Sequence, residues 1–256
     1  VDHYIIAGSF PISSFFVPLF DSFSSTNLII IERFTWWFHI LGILAFLNYV
    51  LISKHLHIFF AFPSTYYANI EKLGKFDNLK SVTNEVKLML DPNADPFAVP
   101  QNQDQQPVSL FGARDATDLN WVQLLNAYSC TECGRCSSVC PANQTGKELS
   151  PRKIMMDTRD RIEEIGRLKE NNTNYLLGNY ISKEELWACT TCNACTDACP
   201  INLDPLSIIV DLRRYLVMEE SAAPTELNNM FSNVENNGAP WQFPAADRLN
   251  WIEENK

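Results

Sequence analysis

Eight cysteines stand in two copies of one spacing pattern, and none lies outside them. The first copy is Cys130, Cys133, Cys136 and Cys140, followed by Pro141. The second is Cys189, Cys192, Cys195 and Cys199, followed by Pro200. Both read C-x2-C-x2-C-x3-C-P. Three thiolates stepped by two residues converge on one side of a small loop, which suits three corners of a cubane iron–sulfur cluster. In chains with two such runs the cysteine before proline usually ligates the other cluster. The spacing therefore predicts one [4Fe–4S] cluster on Cys130, Cys133, Cys136 and Cys199, and another on Cys189, Cys192, Cys195 and Cys140. The exchange would staple segments that are distant in sequence.

Zinc and disulfides are the competing chemistries. Two C-x2-C pairs can make a tetrahedral zinc site. Zinc needs neither the third cysteine nor the Cys-Pro that both copies carry. Cysteines three residues apart on a turn bond poorly to each other, and nothing else in the sequence points to an oxidising compartment.

The elements that must position these cysteines read as helices. Asp118 is placed to cap a helix from Leu119 to Tyr128 that delivers Cys130. Ser182-Lys-Glu-Glu185 is a capping box for a helix that delivers Cys189. Ser150-Pro151 and Asp204-Pro205 each start a helix with proline at its first position. Ile154, Met155, Ile162, Ile165 and Leu168 supply the apolar positions of the first of these helices. Ile208, Ile209, Leu212, Leu216 and Val217 supply those of the second. Capped helix, cluster loop and proline-started helix, repeated, predict an all-α ferredoxin domain over residues 111–256. A compact β-rich ferredoxin is the rival fold, and its motifs usually lie much closer together.

The net charge of −10 argues against nucleic acid or an anionic membrane surface as the main partner. The N-terminal part differs sharply from the rest. Residues 1–27 are apolar but broken by Gly8, Pro11, Pro18 and many serines, and read as an interfacial or re-entrant segment. Residues 28–62 read as a transmembrane helix, because Phe34 to Ile52 carries no formal charge and is long enough to cross a bilayer. Trp36, Trp37, Tyr66 and Tyr67 flank it as an aromatic belt would. A buried core helix is the alternative. Lys54, Lys72, Lys75 and Lys80 follow the span, which places the cysteine domain on the cytoplasmic side of the cell inner membrane. Residues 63–110 read as a helical extension ending in a Pro- and Gln-rich linker.

His39 and His57 lie five turns apart if the helix is continuous, so both would point the same way, roughly 27 Å apart. That is the arrangement two stacked b-type haems require, and haem iron is commonly held by histidine. Interfacial histidines without a ligand are the alternative. Each haem would need a second histidine, so other membrane helices or a cytochrome b subunit must supply it. The start at Val1 fits a chain whose earlier helices lie outside this sequence.

Residues 39–63 resemble the last membrane helix of nitrate reductase gamma-type cytochrome b subunits. They carry His-x17-His, with Ser53-Lys54 before the second histidine and Pro63 after it. The resemblance implies that His39 and His57 are haem b ligands. Residues 111–256 resemble the α-helical ferredoxin domain of heterodisulfide reductase C-type subunits and related iron–sulfur oxidoreductases. The eight cysteines match one for one, and Glu235-Asn-Asn-Gly-Ala-Pro-Trp with Arg248 and Trp251 resembles a segment after their second cluster. The resemblance implies a membrane-anchored electron-transfer subunit that links haem b and the quinone pool to a cytoplasmic redox partner, a flavoprotein or a cysteine-rich subunit. A rival is the iron–sulfur part of a catalytic oxidoreductase whose active site lies elsewhere. A second rival uses the metal sites only as structural staples. The chain has no adjacent cysteines, phosphate loop, dinucleotide fingerprint or nucleophile triad, so no substrate site is visible in it.

Overall fold

The structure is a computed structural model that describes residue 12 and residues 15–71, 74–91, 110–168 and 173–254. Residues 1–11, 13 and 14 of the expected interfacial segment, residues 72 and 73, and residues 92–109 of the expected linker lie outside the described residues. No strand is found among the described residues; one isolated bridge joins Leu177 to Ile181. The chain divides into two units, Val1–Leu56 and His57–Lys256.

In the first unit, helix α1 spans Ser25–Leu51. The Ser24 side chain accepts from the Asn27 N–H (3.4 Å) and caps its start. Two polar side chains inside α1 bond back to the helix's own carbonyls. Thr35 donates to the Ile31 carbonyl (2.9 Å) and Asn48 to the Leu44 carbonyl (2.8 Å). At about 1.5 Å per residue, α1 is roughly 40 Å long. Among the described residues it is the one helix long and apolar enough to cross a membrane. Large side chains such as Ile30, Phe34, Phe38 and Leu41 stand exposed along it.

The helix stops at Leu51 rather than running to 62. Ser53 explains the break: its hydroxyl donates to the Val50 carbonyl (3.2 Å) and accepts from the His55 N–H (3.2 Å). Both bonds offer the backbone an alternative to the next helical turn. A short 3-10 turn, Lys54–Leu56, follows. His39 and His57 therefore sit on different helices, and the five-turn spacing that assumed one helix does not describe them.

In the second unit, α2 spans His57–Tyr66 and α3 spans Lys80–Leu90. The cysteine region is built from α4 (Trp121–Ser129), the short helices α5 (Arg135–Ser138) and α6 (Pro141–Gln144), and α7 (Pro151–Leu168). Then come α8 (Lys183–Ala188), the short α9 (Ala194–Asp197) and α10 (Pro205–Met218). Helices α11 (Thr225–Asn237) and α12 (Asn250–Glu254) complete the described chain.

The core gathers apolar positions from α7 and α10. Ile154, Met155, Ile208, Ile209, Leu212 and Leu216 are buried. Leu168 is exposed at the end of α7. Helix α4 begins two residues later than expected. Its cap is Asn120, which accepts from the Gln123 N–H (2.9 Å) while the Gln123 carboxamide accepts from the Asn120 N–H (2.9 Å). Asp118 instead serves the preceding turn, accepting from the Arg114 and Asp115 N–H groups (2.9 Å each). The Ser182 capping box forms as expected, with Glu185 N–H to Ser182 at 3.1 Å and Ser182 N–H to Glu185 at 2.9 Å.

Two packing devices hold α4 and α10 in place. Gly112 has φ +100, and a Cβ there would lie 2.5 Å from the Asp211 carbonyl oxygen. This allows Ala113 N–H to bond that carbonyl on α10 (3.0 Å). Helix α2 packs on α4: the buried Ser64 hydroxyl donates to Asn126 (3.0 Å), and Phe60 meets Tyr128 edge-on (6.1 Å).

Candidate iron–sulfur site

The two cysteine loops are built alike. Helices α4 and α8 each end on the first cysteine of a motif, with Cys130 and Cys189 as their C-caps. Each loop then passes through two left-handed residues. These are Glu132 (φ 60) and Gly134 (φ 81) in the first, and Thr191 (φ 56) and Asn193 (φ 61) in the second. Left-handed conformations are uncommon outside glycine, so their repetition at matching positions marks a shared requirement. They turn backbone N–H groups toward the first thiol. Thr191 N–H lies 3.4 Å from Cys189 Sγ, and Glu132 N–H plays the same part toward Cys130. Such bonds favour the charged thiolate.

The fourth cysteines are exchanged in space. Burial pushes the Cys130 thiol up, and the nearby Cys136 and Cys199 push it further. Burial likewise raises Cys136, with Cys133 and Cys199 adding to it. In the second group, burial raises Cys189, with Cys140 and Cys192 adding to it. Cys195, the most strongly affected, is pushed up to about 12, first by burial and then by its neighbours, Cys189 among them. Cys199 thus lies with the first motif and Cys140 with the second. These neighbour relations sort the eight cysteines into two sets of four.

A cavity of about 180 Å³ opens among Cys130, Cys133, Cys136 and Cys199, and Cys195 reaches its wall. Its lining is almost wholly apolar, with Met155 and Ile201 among the contributors. Among the described residues, no three His, Cys, Asp or Glu side chains converge as ligands of one ion do. Four thiols around one void fit a bulky cationic core that takes them as thiolates. The cysteine groups therefore fit [4Fe–4S] clusters.

Charged residues frame the two groups differently, and the sequence reading passed over them. Arg159 donates to Glu132 (2.7 Å) beside the first group. Arg213 donates to the Leu186 carbonyl (3.0 Å) and the Cys189 carbonyl (2.6 Å) beside the second, and stacks over Trp187 (4.9 Å). Burial holds the Arg213 guanidinium below its ordinary value, with the Cys189 thiol opposing that shift. Aligning the two motifs position by position shows Glu132 against Thr191, which was the available signal.

The histidines fall differently from the cysteines. His39 is exposed on α1. His57 is half-buried at the start of α2 and, with Ala61, lines the cavity of the first cysteine group.

Fold and cysteine geometry define the class: residues 126–203 match the 4Fe-4S dicluster domain. The chain's homologues are iron–sulfur oxidoreductases and heterodisulfide reductase C-like subunits that share this domain. A probable iron–sulfur-binding oxidoreductase, FadF, of Bacillus subtilis is 29% identical over 97% of this chain and 37% of its own length. The EtfAB:quinone oxidoreductase of Syntrophomonas wolfei is 28% identical over 95% of this chain and 34% of its own. A probable membrane-anchored ferredoxin of Chromohalobacter salexigens is 32% identical over 56% of this chain and 24% of its own. The chain thus spans between about a quarter and just over a third of the length of these relatives.

Proposed function

We propose that this chain is the membrane-anchored electron-transfer segment of an iron–sulfur oxidoreductase. Cys130, Cys133, Cys136 and Cys199 would ligate one [4Fe–4S] cluster, and Cys189, Cys192, Cys195 and Cys140 the other. The observation that carries this is the exchange of Cys199 and Cys140 between the two loops. When bound, the clusters supply reversible one-electron chemistry; the protein supplies ligation, burial and electrostatics. The paired loops hold thiolates with backbone N–H groups. The apolar wall of the first cavity lowers the local dielectric around its cysteines. Helix α1, with its exposed apolar side chains, would cross the bilayer and place the domain at the cytoplasmic face of the inner membrane.

The finer reading is a relay between haem b or the quinone pool and a flavoprotein or cysteine-rich partner. The naming of one relative as a quinone oxidoreductase supports its quinone end. The haem end rests on His39 and on the likeness of residues 39–63 to the last helix of nitrate reductase gamma subunits. His57, the second histidine of that likeness, begins α2. A second reading makes the chain the iron–sulfur part of a catalytic oxidoreductase with its active site on further sequence. The much greater length of the relatives favours considering it. Both readings require the same measurement first: iron, acid-labile sulfide and haem on anaerobically purified, detergent-solubilised protein. About eight iron and eight sulfide per chain, as two cubane clusters need, is the expected result. Zinc in place of iron overturns it.

A further inference from the structure

The two cluster loops differ in charge at three matched positions: Glu132 against Thr191, Arg135 against Ala194, and Ser138 against Asp197. Only the first is half-buried in both loops. Glu132 and Thr191 are the second residue after the first cysteine of their motifs, both left-handed. Beside the first loop, Arg159 is neutralised by Glu132 at 2.7 Å, with Asp160 at 3.7 Å. Beside the second loop, Thr191 has no charge to offer, and its hydroxyl turns to the Thr190 carbonyl (2.7 Å). Arg213 there forms its bonds with neutral carbonyls, one of them belonging to the ligand residue Cys189 (2.6 Å).

Other charged groups also lie near the cysteines, and they stay constant when Arg213, Thr191 or Glu132 is changed. Asp204 lies toward Cys195 and caps α10, accepting from Ser207 N–H (3.1 Å) and Thr196 (3.2 Å); its charge opposes that of Arg213, which faces Cys189 in the same group. Arg135 and Arg152 stand exposed at the mouth of the first cavity. Water and salt screen charges in that position more than a half-buried guanidinium.

We propose that Arg213 is a positioning residue that raises the reduction potential of the second cluster, while the Glu132–Arg159 pair withholds the same effect from the first. The reasoning is electrostatic. Each cluster gains one negative charge when it accepts an electron. A fixed cation held in low dielectric beside a ligand favours the reduced form, and a carboxylate paired with that cation removes the advantage. Net charge and surroundings are among the features that set cluster potentials. The inference rests on the two-cluster reading above, and it assigns the difference in potential to two loop positions.

The test is a redox titration followed by electron paramagnetic resonance on the full, detergent-solubilised chain, with dithionite and mediators as the electron source. Arg213→Gln should lower one of the two potentials and leave the other in place. At fixed ambient potential its reduced-to-oxidised ratio should fall about tenfold, or about 59 mV for a one-electron couple. Thr191→Glu should move the same cluster the same way, and Arg213→Lys should recover most of the loss. Glu132→Gln should raise the potential of the first cluster and leave the second unmoved. If Arg213→Gln fails to fold, the two loop variants carry the test, because neither removes a buried group. The proposal is overturned if no variant moves a potential while iron stays near eight per chain. It is also overturned if Arg213→Gln and Glu132→Gln act on the same cluster. Wild-type protein without iron overturns the two-cluster reading itself, and the inference with it.

Discussion

At the scale of single residues, the most demanding group outside the cysteines is Arg161. It is 2% exposed and donates to both oxygens of Asp115, at 2.7 and 2.6 Å. It also donates to Glu164 (2.6 Å), while Asp115 accepts from Leu176 N–H (3.0 Å). This knot ties the entry to the cysteine domain, helix α7 and the segment before α8. Removing one partner of a buried pair strands the other, at a cost of about 3–5 kcal/mol. Arg161→Ala should lower stability by that order, read as a shift in the denaturant midpoint. Burial pushes the Asp115 carboxyl up, but bonds from Arg161, Ala116 and Leu176 outweigh it and leave the group below its ordinary 3.8. A depressed carboxyl stabilises the fold above its unfolded pKa and loses that contribution as pH falls through the folded value. The stability gap between wild type and Asp115→Asn should therefore be constant near neutrality and shrink below about pH 4. A gap unchanged down to pH 3 would contradict the assignment. The cysteines carry their own test: Cys199→Ser should disturb the same resonance signal as Cys130→Ser, and Cys140→Ser the same signal as Cys189→Ser.

At the scale of elements, capping chemistry explains what the sequence made legible. Ser182 with Glu185, Pro151 and Asp204-Pro205 each carry their start signal in adjacent residues, and α8, α7 and α10 begin where those signals stand. Helix α4 was displaced because Asp118 and Asn120 are both good caps. Asn120 has Gln123 three residues on to complete a box, whereas Asp118 is drawn back to Arg114 and Asp115. The break after Leu51 was hidden for a related reason. Hydropathy runs through Ile52, and only the Ser53 hydroxyl, bonding backward to Val50, stops the helix. Composition reports where apolar residues lie; it does not report which short polar side chain captures the backbone. Ser182→Ala should cost about 1 kcal/mol by loss of its cap bond, measured as a small shift in thermal or chemical midpoint with the cluster content intact. A large loss of iron in that variant would show that the α8 cap supports cluster binding directly, a stronger role than capping alone predicts.

At the scale of the whole molecule, the cysteine spacing made the site readable because a cluster loop is a local device. The pairing of Glu132 with Arg159, and the placement of Arg213 on the Cys189 carbonyl, join residues far apart in sequence and needed the fold. The division at His57 has a consequence of the same kind. Helix α2 lies on the cysteine side of that division. It contributes the Ser64 bond to Asn126, the Phe60 contact with Tyr128 and two residues of the first cavity's wall. Helix α4 delivers Cys130, so loosening its support should be felt first at that cysteine group. A fragment beginning at His57 should therefore stay in solution without detergent and hold about eight iron per chain. A fragment beginning at Ala68 lacks α2. It should bind iron less completely and lose first the resonance signal that Cys130→Ser also disturbs. Iron content and spectra of the two fragments, prepared side by side under anaerobic conditions, decide the point. Equal loading with identical spectra would mean that α2 contributes nothing to the site it lines.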